Sequence, residues 1–190
     1  MIVADASPLI ALAKIGNLGL LRDLYSDVAI APSVKREVVN QGRLIRAPEV
    51  VQVESALAER WVRELQLTAK EKRRVGRLVR TTGLGTDEAE FLALASARHL
   101  IVLLDDKEAR AVAEAMRVHY LGTAGVLLAA FVRGYLDHTG LEEAVRDLAR
   151  VLWLSPGRIP AQYDLEDLRK DVTMILAGLG PGKGQSPRRR

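Results

Sequence analysis

The run Leu100-Ile101-Val102-Leu103-Leu104-Asp105-Asp106-Lys107 decides the fold. Five apolar residues in a row, with no polar alternation, do not suit a strand with one wet face. They suit a short strand covered on both faces, as in a parallel sheet with helices on either side. Downstream, a helical pattern spans Lys107 to Arg117, and His119-Tyr120-Leu121 is a further short strand. Thr123 is then placed to cap a helix reaching Gly134, and Thr139-Gly140-Leu141-Glu142 has the spacing of a capping box opening a helix to about Leu154. Upstream, Gly83-Leu84-Gly85 breaks the pattern, and Thr86 with Asp87 and Glu88 behind it predicts an N-cap and an acidic first turn for a helix to His99. Thr68-Ala69-Lys70-Glu71 is another capping box, ahead of a basic helix to Arg80, and Pro48 opens an amphipathic helix. Trp61 to Leu65, between these two helices, reads equally as strand or as more helix. Val28-Ala29-Ile30-Ala31 is a strand bounded by Asp27 and Pro32, with Ser33 placed to cap a helix through Val39. Before it come Leu18 to Tyr25, helical, and at the start Ile2-Val3-Ala4-Asp5, a strand ended by an acid and followed by a helix from Ala6 to Ile15.

Strands alternating with helices imply parallel pairing through right-handed crossovers, hence an α/β fold with helices on both faces. The core domain is expected to span 1–154, with a longer helical, basic segment at about 41–82. Ser155 to Gln162, with two prolines and a glycine, reads as a linker to a last helix from Asp164 to Ala177, so 155–179 is a linker and C-terminal helix. The basic stretch 180–190 is expected to be disordered.

At 190 residues with 48% hydrophobic and 27% charged side chains, the chain can bury a core without staples, and it is too apolar to stay unfolded. It has no cysteine, which excludes disulfide frameworks, thiolate metal sites and cysteine nucleophiles. Asp5 interrupts the apolar start and no basic flank precedes it, so a signal peptide is not expected. The longest apolar run, Ala124 to Val132, falls short of the roughly 18–20 residues of a membrane span. A cytoplasmic protein without a membrane partner is the expectation. The net charge of +4 equals that of the tail, whose bases are Lys183, Arg188, Arg189 and Arg190, so the rest of the chain is neutral overall. Within it, however, Lys70 to Arg80 carries six bases against Glu71 alone, so bases and acids are segregated.

In an open α/β sheet, sites form beyond the carboxyl ends of the strands, so the acids there carry the chemistry. Asp5 ends the first strand, Glu37 lies one turn into the helix after the second, Glu88 is in a helix first turn, and Asp105 and Asp106 end the apolar run. Glu37 follows Val34 by three positions, and Glu88 precedes Phe91, Leu92 and Ala95 by three, four and seven, which predicts an inward face for each. Singly, each has an ordinary role as turn former or dipole partner. Jointly, converging like charges must be neutralised by protons or by a cation. All-oxygen ligands suit Mg²⁺ or Mn²⁺.

Five segments resemble, in order and spacing, the successive motifs of PIN-domain proteins: Val3-Ala4-Asp5-Ala6-Ser7-Pro8-Leu9-Ile10, Pro32 to Val38, Asp87-Glu88-Ala89-Glu90 with Leu92 to Ala95, Leu104-Asp105-Asp106-Lys107, and Leu121 to Leu127. The resemblance spans Ile2 to about Leu136. It implies a three-layer α/β/α sandwich with a short, mainly parallel sheet, and a metal-dependent ribonuclease most similar to the toxins of VapBC-type toxin–antitoxin pairs. It further implies Mg²⁺ or Mn²⁺ as cofactor, an RNA substrate, a small antitoxin protein as partner and a homodimer. By position, Asp5, Glu37, Glu88 and Asp105 match the family's acidic residues, with Asp5, Glu88 and Asp105 as metal ligands. Ser7 and Thr123 match hydroxyl residues beside the site. Asp106 is the alternative to Asp105, and Glu90 is a further acid of structural character. Two features depart from compact toxins: the long 41–82 segment and the C-terminal extension. On the basic helix, Lys72, Arg73 and Arg77 are candidates for RNA phosphates, against the ordinary reading of a solvated face.

Two other classes of function compete. One is a binding scaffold that keeps the fold without turnover, against which the four intact acids speak. The other is a phospho-accepting receiver built on Asp5, Asp105-Asp106-Lys107 and Thr123, which lacks the acidic pair expected after the first strand. Gly83-Leu84-Gly85-Thr86 lacks the lysine of a phosphate loop, and His99, His119 and His138 are scattered.

Overall fold

The computed structural model describes residues 1–153, with side chains to Val151. The linker, last helix and basic tail expected beyond them lie outside the described residues. Five strands form one sheet: β1 (Ile2–Ala4), β2 (Val28–Ile30), β3 (Val62–Glu64), β4 (Ile101–Leu103) and β5 (Tyr120–Leu121). Their order is β3-β2-β1-β4-β5, and every pairing is parallel. Val62–Glu64 is therefore a strand, and it pairs with β2 at the sheet edge, where its Arg63 stays exposed. The three residues of β1 are fully buried, as a central strand covered on both faces requires.

The chain builds outward from β1 to β2 and β3, then returns to β4 on the other side of β1 and continues to β5. The order reverses between β1 and β4, and the crevice outside the carboxyl ends at that switch point is where an open α/β sheet binds ligands. Helices α1 (Ala6–Lys14), α2 (Gly19–Tyr25), α9 (Thr123–Val132) and α10 (His138–Trp153) pack against one another. Helix α7 (Thr86–Arg98) lies on β1 and β4 and carries α6 (Ala69–Thr82) outside it. The remaining helices are α3 (Pro32–Lys35), α4 (Gly42–Leu44), α5 (Val50–Ala58) and α8 (Lys107–Ala115). Among the described residues no helix is long and apolar enough to cross a membrane.

Several helix starts differ from the sequence expectation. Ala31, Gly85 and Gly122 are the N-caps of α3, α7 and α9, so Ser33, Thr86 and Thr123 lie inside their helices rather than capping them. Thr123 spends its hydroxyl on Asp105 instead. At α10 the acceptor is Asp137, whose Oδ1 takes the Gly140 N–H at 2.7 Å, in place of a box based on Thr139. The helix expected through Val39 is interrupted: Arg36–Gln41 is π-helical between α3 and α4.

The Thr68–Glu71 box is present in full. Thr68 N–H donates to Glu71 at 2.7 Å while Glu71 N–H donates to the Thr68 hydroxyl at 3.3 Å. Glu71 is 4% exposed and also receives Arg98 Nε at 2.8 Å, from the last turn of α7. Arg98 above all, with Thr68, holds the Glu71 carboxyl down to about 2, against its burial. Glu71→Ala is expected to cost about 2–4 kcal/mol in urea unfolding at pH 7, from a lost cap and a stranded guanidinium. Because the folded-state pKa is depressed, the Glu71 contribution is present above pH 4.5 and is lost as pH falls through about 2. The difference between wild type and variant should shrink over that window.

Candidate active site

Asp5 follows β1 and Asp105 follows β4, so the two neighbouring central strands aim their terminal acids at the switch-point crevice. The backbone fixes this register, with Asp5 N–H donating to Leu103 O at 3.0 Å. Asp105 is 4% exposed. Its Oδ1 accepts the Thr123 N–H at 2.8 Å, and its Oδ2 accepts the Thr123 hydroxyl. Behind it Arg110, 2% exposed, places Nη2 at 3.4 Å from Oδ1 and donates Nε to Leu104 O at 2.9 Å. The Arg110 guanidinium also lies 5.3 Å above the ring of Tyr120, whose hydroxyl donates to Glu114 at 2.8 Å. Asp105 is thus a carboxylate held from behind by a cation and a helix N-terminus.

Asp5 has a different setting. Its side chain does not cap α1. Burial, first of all, and then Glu37, Asp105 and Glu88 push its carboxyl up to about 7, opposed by the Ala6 N–H. The three acids that raise Asp5 are the three that the sequence pattern set beside it.

Glu88, half-buried in the first turn of α7, curls its carboxylate back over Gly85. A methyl group on Gly85 would lie 2.3 Å from Glu88 Oε2, so the absence of a side chain there leaves the carboxylate its place. Glu37 is exposed, contrary to the inward face expected from its spacing to Val34. The π-helical stretch re-phases the turn so that Val38 and Val39 are the buried residues, and Glu37 reaches the crevice from its rim. Two contacts tie this stretch to α7: Glu90 Oε2 accepts the Ser33 N–H at 3.1 Å, and Arg36 pairs with Asp87 at 3.5 Å. Glu90 therefore sets the spacing between the elements that carry Glu37 and Glu88. Asp106 caps α8 by accepting the Ala109 N–H at 2.9 Å. Ser7 is half-buried in the first turn of α1. Lys72, Arg73 and Arg77 are exposed on α6.

The donor set suits a hard divalent cation in its chemistry: oxygen ligands only, around a carboxyl whose ionisation is opposed on every side but one. Among the described residues no three His, Asp or Glu side chains are already gathered around one ion position, so binding would have to draw the carboxylates together.

Sequence reasoning passed over Arg110 and Gly85. For Arg110 a signal existed, since it falls with Asp106, Ala109 and Ala113 on one helical stripe, a run otherwise made of a cap and two buried alanines.

The family model described as "DUF3368: PIN domain" matches residues 1–160. No curated protein matches the chain. Among solved structures, VapBC2 from Rickettsia felis, bound to a DNA fragment from their promoter, superposes with a TM-score of 0.44 at 18% identity. That superposition covers 64% of this chain and 98% of the other.

Asp5 binds its proton more tightly folded than unfolded, so without metal its ionisation costs stability that grows as pH rises from about 4 to about 7. Asp5→Asn is expected to raise the metal-free melting temperature at pH 8, by an amount equivalent to a few kcal/mol at most, and to change it little at pH 4. Melting curves at the two pH values check this, and a variant that loses stability at pH 8 would contradict it.

Proposed function

The chain belongs to the PIN-domain family, and from that premise we propose that it is an Mg²⁺- or Mn²⁺-dependent endoribonuclease, the toxin of a toxin–antitoxin pair. The observation that carries this reading is the convergence of Glu37, Glu88 and Asp105 on Asp5, whose carboxyl is pushed up to about 7. An arrangement that opposes its own ionisation is costly to a fold and is of use where a cation is to be held.

Asp5, Glu88 and Asp105 would hold the ion. When bound, it would offset their charge, acidify a water and neutralise charge gathering on the phosphate. The chain's own residues divide the remaining work. Asp105, held by Thr123 and Arg110, is the most firmly placed member of the set. Glu88 reaches the set from the first turn of α7, with its carboxylate seated over Gly85. Glu37, at the rim and exposed, is placed to take the proton of the attacking water on its carboxylate. Attack of water at phosphorus would break the bond to the 3′ oxygen, so the upstream fragment leaves with a 3′-hydroxyl after taking a proton from solvent, and the downstream fragment keeps the phosphate on its 5′ oxygen.

On the same reading the partners are RNA, a small antitoxin protein and a second copy of the chain, and the compartment is the cytoplasm. Val51 on α5 and Val145 on α10 are exposed and suit a contact between copies. The alternative, a PIN-fold scaffold without turnover, draws on the acids not being gathered around one ion position.

Purified protein is expected to cleave RNA with Mg²⁺ or Mn²⁺ and to stop in excess EDTA; equal cleavage in EDTA sinks the mechanism. Asp5→Asn, Glu37→Gln and Glu88→Gln should each lower the rate by about 10²–10⁴-fold while the protein stays folded, whereas Asp105→Asn should lower the rate and also cost stability, because it leaves the buried Arg110 guanidinium without its carboxylate. Asp106→Asn should stay near wild type, because asparagine caps a helix as well as aspartate does. Gly85→Ala should cost at most about 1 kcal/mol of stability, yet slow cleavage by up to ~10²-fold through displacement of Glu88, as paired melting and rate measurements would show.

A further inference from the structure

Helix α6 carries a row of cations that the proposed cleavage chemistry does not use. At 100° per residue, Glu71, Val75 and Leu78 face α7 and are buried, while Arg73, Arg77 and Arg80 stand on the opposite side, with Lys70 beside them. Lys72 and Arg74 flank that row. Among the described residues none of these six side chains has an ion-pair partner. The one acid of the helix, Glu71, is turned inward and held by Arg98. From Lys70 to Arg80 the row runs about 15 Å along the helix.

The hairpin fixes where the row leads. Arg98, in the last turn of α7, bridges to Glu71, in the first turn of α6, so the two helices run antiparallel and their joining turn, Gly83 to Gly85, lies at the other end. That end carries Glu88 of the crevice. Arg77 and Arg80 are therefore nearest the carboxylates, and Arg73 and Lys70 are progressively farther out.

The chemistry of the face selects its occupant. A protein segment docked on a helix needs apolar anchors, and α6 exposes no large apolar side chain. What it offers is a linear array of unpaired cations, which fits a chain of phosphates. Gly76 sits among Arg73, Arg77 and Arg80, and a methyl group there would meet only the Arg80 guanidinium, at 3.5 Å. No packing need of the fold requires this glycine, which costs a mid-helix position roughly 0.5–1 kcal/mol relative to alanine. It leaves a notch through which a backbone can approach the helix.

We propose that Lys70, Arg73, Arg77 and Arg80 form a phosphate-binding track on α6 that holds the backbone of single-stranded RNA as it leaves the carboxylate crevice. This rests on the ribonuclease reading above for the identity of the strand, while the track itself rests on α6.

The test is binding of a labelled single-stranded RNA to the full chain in EDTA, where cleavage does not intervene, followed by fluorescence anisotropy over a range of salt. Wild type should show a linear fall of log K with log salt. The triple variant Arg73→Gln/Arg77→Gln/Arg80→Gln should flatten the slope by about 0.7 per contact removed, roughly 2 in all, and weaken low-salt binding about tenfold or more. Arg146→Gln, an exposed arginine of α10, should leave the slope unchanged. Arg→Lys at the same three positions should restore the slope, which a purely structural role for the guanidinium groups would not. A triple Gln variant with the wild-type slope overturns the track, even if the protein cleaves RNA. A flattened slope in a protein that never cleaves with Mn²⁺ upholds the track and removes the nuclease.

Discussion

A carboxylate withdrawn from water must find a positive partner, a donor or a proton, and the carboxyl edge of this sheet gives its two central acids opposite answers. Asp105 receives the Thr123 N–H and hydroxyl and the Arg110 guanidinium. Asp5, one strand away, receives the Ala6 N–H and three like charges. The rest of the fold follows from keeping this asymmetry in place. Parallel pairing in register puts the ends of β1 and β4 side by side, and the reversal of strand order between them keeps any crossover from covering the crevice.

The supporting contacts are of two kinds. Around Asp105 they are buried and pairwise, and the Tyr120 ring above Arg110 with its hydroxyl on Glu114 extends them into the sheet edge. A guanidinium buried at 2% exposure is tolerable only while its carboxylate partner is present, so Arg110 and Asp105 constrain each other. Elsewhere at the crevice they join one element to another. Glu90 on the Ser33 N–H and Arg36 on Asp87 hold α3 and the π-helical stretch that follows it against α7.

The sheet was legible because strands of three residues buried on both faces have little choice but to be continuous apolar runs, as Ile2–Ala4 and Ile101–Leu103 are. The positions of Asp5 and Asp105 were legible because they follow β1 and β4, where an α/β sheet exposes its strand ends. What could not be read were choices made by tertiary partners. Thr123 looks like a helix cap until Asp105 claims its hydroxyl, and Thr86 looks like one until Gly85 is needed beneath Glu88. The outward turn of Glu37 comes from one extra residue in a helical turn, a shift that no periodicity in Arg36–Gln41 announces. Trp61 to Leu65 stayed ambiguous because an edge strand with one exposed residue in three carries no strong pattern.

The hairpin of α6 and α7 shows how local stability and long-range charge can be separated within one element. Its closure is concentrated at the base, where a single buried acid, Glu71, serves as capping partner of Thr68 and as counter-ion of Arg98. Because that one acid faces inward, the outer face is left without negative charge, and six cations stand on or beside it unneutralised. Elsewhere on the surface several bases find acids, as Arg22 finds Glu59 and Lys35 finds Glu64, although Arg46, Arg60 and Lys107 do not among the described residues. Surface pairs of that kind contribute little to stability, so their absence on α6 costs the fold little. Mutual repulsion along the row is the cost that remains, and it is relieved only when an anion lies across it. On the proposed reading the hairpin brings together an acidic crevice that would take a cation and a basic track that would take an anion, and a phosphodiester chain with a divalent ion would satisfy both.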